Sequence, residues 1–161
     1  MQLSRRAFIG SAGLLTAGTL AGVPLPTGAE ERFELSLSEG EWRKRLTAQQ
    51  YAILRRSQTE RPYSSPLNEE HRKGVFLCAG CRLPLFSSGS KFDSGTGWPS
   101  FWKPLPNAVR TSTDYLIGLP RTEVHCRRCG GHLGHVFDDG PRPTGKRYCM
   151  NGAAMLFRPL A

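Results

Sequence analysis

Long apolar runs are missing from this 161-residue chain. The longest, Ala7 to Val23, is diluted with glycine, serine and threonine and is too short and too weakly apolar for a stable membrane span. Blocks of one charge are missing as well. Lys and Arg number 22 against 13 Asp and Glu, a formal charge of +9, yet the basic residues are scattered (Arg43, Lys44, Arg45, Arg55, Arg56, Arg127, Arg128). Aromatics do not interleave with them, so a nucleic-acid platform is not expected. A scattered excess reads as a solvated basic surface, with anionic surfaces or acidic peptides as the alternative partners. There is no low-complexity tract and no internal repeat beyond two C-x-x-C pairs, and the length suits one domain. Apolar residues make up only 39%, with 18 glycines and 12 prolines. That composition suits a loop-rich, mainly β domain with a small core, for which a metal staple is useful.

Met1 to Arg6 forms a short basic start, and Pro24, Pro26 and Gly28 end the apolar stretch that follows. Small residues at Thr27-Gly28-Ala29 offer a cleavage site. Ser4-Arg5-Arg6-Ala7-Phe8-Ile9 resembles the twin-arginine export motif. Residues 1–29 are therefore expected to be a signal peptide, and residues 30–161 the folded domain, exported to the bacterial periplasm or envelope. No stable membrane span is expected after cleavage. Export of an already folded chain would let a metal be loaded before the cysteines meet an oxidising compartment.

Ser38 followed by Glu41, and Thr47 followed by Gln50, each match a capping box, which predicts two short helices up to about Arg56. Trp42, Leu46, Tyr51 and Leu54 would supply their apolar stripe. Thr59 to Pro66 reads as an irregular polar arm used for packing. Beyond Gly74, short extended runs alternate with turns. Strands are predicted at 75–77, 115–117, 122–124, 133–137, 147–150 and 155–157. They imply a small antiparallel β domain of two packed sheets behind short N-terminal helices.

Five cysteines are divided between two C-x-x-C pairs and one remainder. Cys78 and Cys81, with Cys126 and Cys129, can close four thiolates around one ion, the coordination a structural zinc prefers. Residues 82–125 separate the two knuckles, so the sheets must bring them together. Positive φ is expected in both turns, at Gly80 and Gly130. One Zn²⁺ per chain is expected, structural because a closed four-sulfur shell leaves no open position. A redox dithiol fits poorly without a strand-then-helix context.

Cys149, in Arg147-Tyr148-Cys149-Met150-Asn151, is left over. Strand alternation places Arg147, Cys149 and Asn151 on one face, and a nearby cation favours the thiolate. On this pattern alone a buried inert cysteine is as good a reading as a nucleophile. His132 and His135 can converge on one pocket as hydrogen-bond partners or proton donors; each is otherwise a metal ligand or a satisfied surface histidine. Trp98, in a turn before Pro99, is either a lid on the core or a binding platform.

Three stretches carry a resemblance: Ser94 to Phe101 (S-G-T-G-W-P-S-F), Gly131 to Pro141 (G-H-L-G-H-V-F-D-D-G-P) and Arg147 to Asn151 (R-Y-C-M-N). With the two C-x-x-C pairs, they resemble the B-type methionine sulfoxide reductases over roughly Ser38 to Pro159. The resemblance implies reduction of the R epimer of methionine sulfoxide in proteins and peptides. Cys149 corresponds to the nucleophile, which would become a sulfenic acid. His132, His135 and Asn151 match residues that orient and protonate the sulfoxide oxygen. Trp98 matches the ring that holds the substrate methyl, and Arg147 an arginine that favours the thiolate. Many members carry a resolving cysteine where this chain has Thr96, so recycling by a thioredoxin-like protein or another thiol reductant is expected. Gly152 replaces a common serine and is expected to loosen the loop after Asn151. A monomer is expected. The alternative from another class is a zinc-knuckle binding module without catalytic activity.

Overall fold

The computed structural model describes residues 33–115 and 118–160. The expected signal segment, 1–29, lies outside the described residues, as do Leu116 and Ile117. Among the described residues no helix is long and apolar enough to cross a membrane.

Both capping boxes form. In α1 (Glu39–Arg45) the Ser38 hydroxyl accepts from the Glu41 N–H while the Glu41 carboxylate accepts from the Ser38 N–H. Thr47 and Gln50 repeat the exchange at the start of α2 (Ala48–Arg56). Each box satisfies two backbone donors that a helix start otherwise leaves unpaired. Trp42, Tyr51, Ile53 and Leu54 are buried against the rest of the domain.

Among the described residues nine antiparallel strands follow: β1 (Gly74–Cys78), β2 (Pro84–Ser87), β3 (Lys91–Phe92), β4 (Ser100–Phe101), β5 (Val109–Asp114), β6 (Arg121–Cys126), β7 (His132–Phe137), β8 (Arg147–Met150) and β9 (Met155–Pro159). They make a three-stranded sheet, β2-β1-β9, and a six-stranded sheet, β3-β4-β8-β7-β6-β5. The expected mainly β domain is thus present. Aromatic rings join the sheets. Phe101 of β4 stacks on Phe86 of β2 at 4.3 Å between centroids and meets Phe76 of β1 edge-on at 4.9 Å. All three are fully buried.

The strand expected at 115–117 falls mostly outside the described residues, and Tyr115 itself is not in a strand. Ahead of it runs β5, Val109–Asp114, not expected from the sequence, which pairs with β6 from Val109↔Cys126 to Asp114↔Arg121. It is an edge strand of the large sheet and Thr111 to Thr113 are exposed in succession, so no apolar run marks it. In the metal knuckles, positive φ falls at Gly130 (65°) as expected but at Arg82 (61°), not at Gly80. The two turns nevertheless share one hydrogen-bond scheme. Arg82 N–H donates to Cys78 O and Cys78 N–H to Leu83 O; Gly130 N–H donates to Cys126 O and Cys126 N–H to Gly131 O. The residue after the second cysteine is the one that must turn left-handed. Gly80 instead sits under Trp42 and Leu54.

Truncating Phe101 removes the ring shared by both sheets. Phe101→Ala is expected to lower stability by about 3–5 kcal/mol, read as a shift of the urea midpoint at unchanged slope.

Candidate active site

Strand alternation should put His132 and His135, three apart, on opposite faces of β7. A bulge prevents this. Gly134 pairs with Val124 but His132 pairs with His125, so Leu133 is an extra residue opposite the β6 strand. Both imidazoles consequently share a face, with ring centroids 5.4 Å apart. Leu133 turns into the core, fully buried. The register then aligns one row across five strands: Ser112↔Glu123, Glu123↔His135, His135↔Cys149 and Cys149↔Ser100. Cys149 therefore stands directly across from His135.

Each histidine is held by a carboxylate from the strands on one side of β7, Glu123 on β6 and Asp114 on β5. His132 Nδ1 is 2.6 Å from Glu123 Oε1, and His135 Nε2 is 2.7 Å from Asp114 Oδ2. Asp114 also accepts from Arg121 at 2.6 Å. The His132 contact holds the Glu123 carboxyl below its usual range. An ionised Glu123 makes Nδ1 the donor, and the buried Nε2 of His132 finds no hydrogen-bond partner among the described residues. Burial pushes the His135 imidazole below its ordinary pKa, which keeps the ring neutral at pH 7.

A cavity of about 140 Å³ opens over Cys149, walled by His135, Asn151, Trp98, Arg121 and Thr59. Trp98 donates its indole N–H to Glu60 O at 3.2 Å. Asn151 is committed at both ends: its Oδ1 accepts from Glu60 N–H at 3.0 Å, and its Nδ2 donates to Leu133 O at 3.1 Å. It thereby clamps the bulge that aligns the histidines. Arg147 shares the Cys149 face, stacks on Phe137 at 4.5 Å and forks onto Asp139 with bonds of 2.9 and 2.8 Å.

Cys149 is partly buried, and the Thr96 hydroxyl lies 3.8 Å from its sulfur. The expectation of a thiol shifted toward thiolate is not met in the free protein. Burial pushes the Cys149 thiol up, although Thr96, Arg147 and Ser100 each draw it down. Asp139 spends much of the Arg147 charge.

The other four sulfurs gather elsewhere. Cys78 closes β1 and Cys126 closes β6, so the knuckles bring one pair from each sheet. All four sulfurs lie within 4.8 Å of one another, all are buried and none is disulfide-bonded. Cys78 to Cys129 is 3.7 Å and Cys81 to Cys126 is 3.5 Å. Sulfurs bound at 2.3 Å to a tetrahedral ion stand about 3.8 Å apart. The donor set therefore fits a metal ion. Arg55 donates to Cys129 O and Arg128 to Cys81 O, which steadies the backbone beside two of the sulfurs.

The SelR domain model matches residues 46–159. The chain belongs to the SelR family. The SelR match begins at the turn before α2 and takes in both knuckles and every residue of the cavity. Among its relatives is the peptide methionine sulfoxide reductase MsrB of Agrobacterium fabrum, 51% identical over 79% of this chain and 95% of that protein. The protein of the same name from Methanosarcina barkeri is 53% identical over 75% of this chain and 86% of its own length. The chloroplastic peptide methionine sulfoxide reductase B1 of Arabidopsis thaliana is 48% identical over 93% and 76% respectively.

Of the residues singled out in the sequence, Cys149, His135, Asn151 and Trp98 line the cavity of this SelR domain. Arg147 lies beside Cys149, and His132 is one layer behind, 3% exposed. Asp114, Glu123, Arg121, Thr59 and Glu60 were not foreseen. The first three become visible only once the β5–β6–β7 register is known. The polar arm, read as packing alone, supplies Thr59 and Glu60 to the site.

The burial of Cys149 has a measurable consequence. Its alkylation by iodoacetamide, followed on the Cys149 peptide by mass spectrometry, should have a midpoint above the ordinary thiol value of about 8.5. Arg147→Met should move that midpoint further up; a lower midpoint would contradict the electrostatic account.

Proposed function

We propose that this SelR protein reduces the R epimer of methionine sulfoxide, in proteins and peptides, to methionine. One observation carries the reading. The one cysteine thiol outside the four-cysteine cluster lines a cavity that pairs it with a neutral histidine and a tryptophan wall. The names of the relatives above support the same activity.

The Cys149 sulfur attacks the sulfoxide sulfur, and the oxygen passes to cysteine. The S–O bond of the substrate breaks, methionine leaves, and Cys149 becomes a sulfenic acid. Thiol plus sulfoxide gives sulfenic acid plus sulfide, so no net proton is consumed. His135 and His132 carry the oxygen's proton during the exchange, and Asn151, whose Nδ2 keeps one N–H beyond its bond to Leu133 O, helps to orient the oxygen. Trp98 receives the S-methyl group, whose partial positive charge favours an aromatic face. Two equivalents of an external thiol, or one dithiol, then return the sulfenic acid to thiol, yielding a disulfide and water. Thr96 occupies the place from which an internal sulfur could have done this.

Zn²⁺ is the ion proposed for Cys78, Cys81, Cys126 and Cys129, whose four-sulfur donor set suits it, in a structural role. Residues 1–29 are proposed as an export signal on the strength of their basic start and twin-arginine-like stretch.

With a peptide carrying mixed sulfoxide epimers and dithiothreitol, only the R epimer should disappear. Cys149→Ser should lower kcat by about 10³-fold or more. One equivalent of sulfoxide without reductant should leave a sulfenic acid or its adduct on Cys149. In Thr96→Cys the same treatment should instead join the introduced sulfur to Cys149. An internal disulfide in the parent protein would refute the recycling scheme.

Metal analysis should find one zinc per chain. Cys78→Ser or Cys129→Ser should abolish binding and lower the melting temperature steeply, because metal binding and folding are coupled. Melting unchanged by chelation would show that the cluster does not hold the fold.

A further inference from the structure

Glu60 lies on the arm between α2 and β1, in neither sheet, and is 6% exposed. Its carboxylate accepts the backbone N–H groups of Gly152 and, at 2.9 Å, Ala153. These are the first donors of the 3₁₀ turn Gly152–Ala154 that follows the Cys149 strand. Its own N–H donates to Asn151 Oδ1, and its carbonyl accepts from the Trp98 indole. A single residue thus ties together the turn after β8, the amide that clamps the bulge, and the tryptophan wall.

Asn151 is the N-cap of that turn, where an asparagine side chain ordinarily bonds the free N–H groups itself. It makes no such bond here. Glu60 performs the capping in its place, and the Asn151 amide is left to face the cavity and hold Leu133 O. Gly152 makes this geometry available. A Cβ there would stand 1.9 Å from Ser65 Oγ and 3.3 Å from Glu60 Oε1. Gly152 is buried where Ser65 fills the space a side chain would need, so a serine there would have to displace Ser65. Among the described residues Glu60 has no salt-bridge partner, so ion pairing does not account for its burial.

We propose that Glu60 is a positioning residue for sulfoxide reduction: by capping the turn after Cys149 from outside, it holds Asn151 and Trp98 in the cavity wall. The proposal rests on the function given above, but part of its test does not depend on turnover. Without the carboxylate, Asn151 should swing back to cap its own turn and leave the cavity.

The test compares Glu60→Ala and Glu60→Gln in the zinc-loaded protein, well below the melting temperature and per mole of titratable Cys149 thiol. In Glu60→Ala the NMR signals of the Asn151 side-chain amide and the Trp98 indole, assigned through Asn151→Asp and Trp98→Phe, should shift and exchange faster with solvent. Displacing the cavity wall should lower kcat/KM for R-sulfoxide peptide about 10–100-fold, mostly through KM. Glu60→Gln, which keeps an acceptor oxygen, should recover most of both readouts. Unmoved Asn151 and Trp98 signals in Glu60→Ala would overturn the proposal, as would kcat/KM per thiol within twofold of the parent. A parent without turnover would sink the functional reading, while the two NMR signals would still decide the capping role.

Discussion

Four cysteine sulfurs drawn within 4.8 Å of one another constrain everything else in this domain. Two come from the end of β1 in the small sheet and two from the end of β6 in the large one, so the cluster fixes one sheet against the other. Thiols this crowded cannot all ionise without a cation between them. Trp42 of α1 and Leu54 of α2 close over Gly80 beside the cluster, which gives the two helices their docking place. The first knuckle also reaches the site directly: Ala79 N–H donates to Ala154 O, in the turn that follows the Cys149 strand. The four-cysteine cluster and the Cys149 strand are thus linked through a short stretch of backbone.

A second constraint converts this scaffold into a site. The Leu133 bulge costs one ladder position, yet it brings His132 beside His135 and aligns Glu123, His135 and Cys149 in a single row. Asn151 stabilises it from the far end of β8, giving Leu133 O both its backbone and its side-chain N–H. Asp114 and Glu123 then fix the two rings from the strands on the other side. Loss of any of these supports would act on Cys149 through geometry, without touching it.

Legibility in the sequence follows the range of the interaction. The capping boxes at Ser38 and Thr47 are three-residue exchanges, and both could be read residue by residue. The knuckles were legible because two residues between cysteines suffice to aim both sulfurs one way. Cys149, Trp98 and the two histidines stood out through the motifs around them. Strand β5 was hidden because its partner supplies backbone bonds, not an apolar pattern. The bulge was hidden because it exists only relative to β6. Glu60 looked like one more polar arm residue, since its partners, Gly152 and Asn151, lie about ninety positions away. The exchange of volume between Gly152 and Ser65 belongs to the same class, for neither residue alone suggests it.

The raised pKa of Cys149 appears at first to oppose the proposed chemistry, since a thiolate is the better nucleophile. Three groups draw the thiol toward ionisation and burial still prevails, with the Arg147 guanidinium shared by Asp139. A bound sulfoxide would act on that balance. Its sulfur carries positive charge that would lie toward Cys149, and its oxygen needs the proton that the thiol holds. In the proposed chemistry, ionisation would then accompany substrate arrival instead of preceding it. A standing thiolate would be open to any passing oxidant. A thiol kept neutral by burial, one side-chain contact from Thr96 and across from a neutral histidine, reserves its reactivity for the molecule that completes the charge pattern.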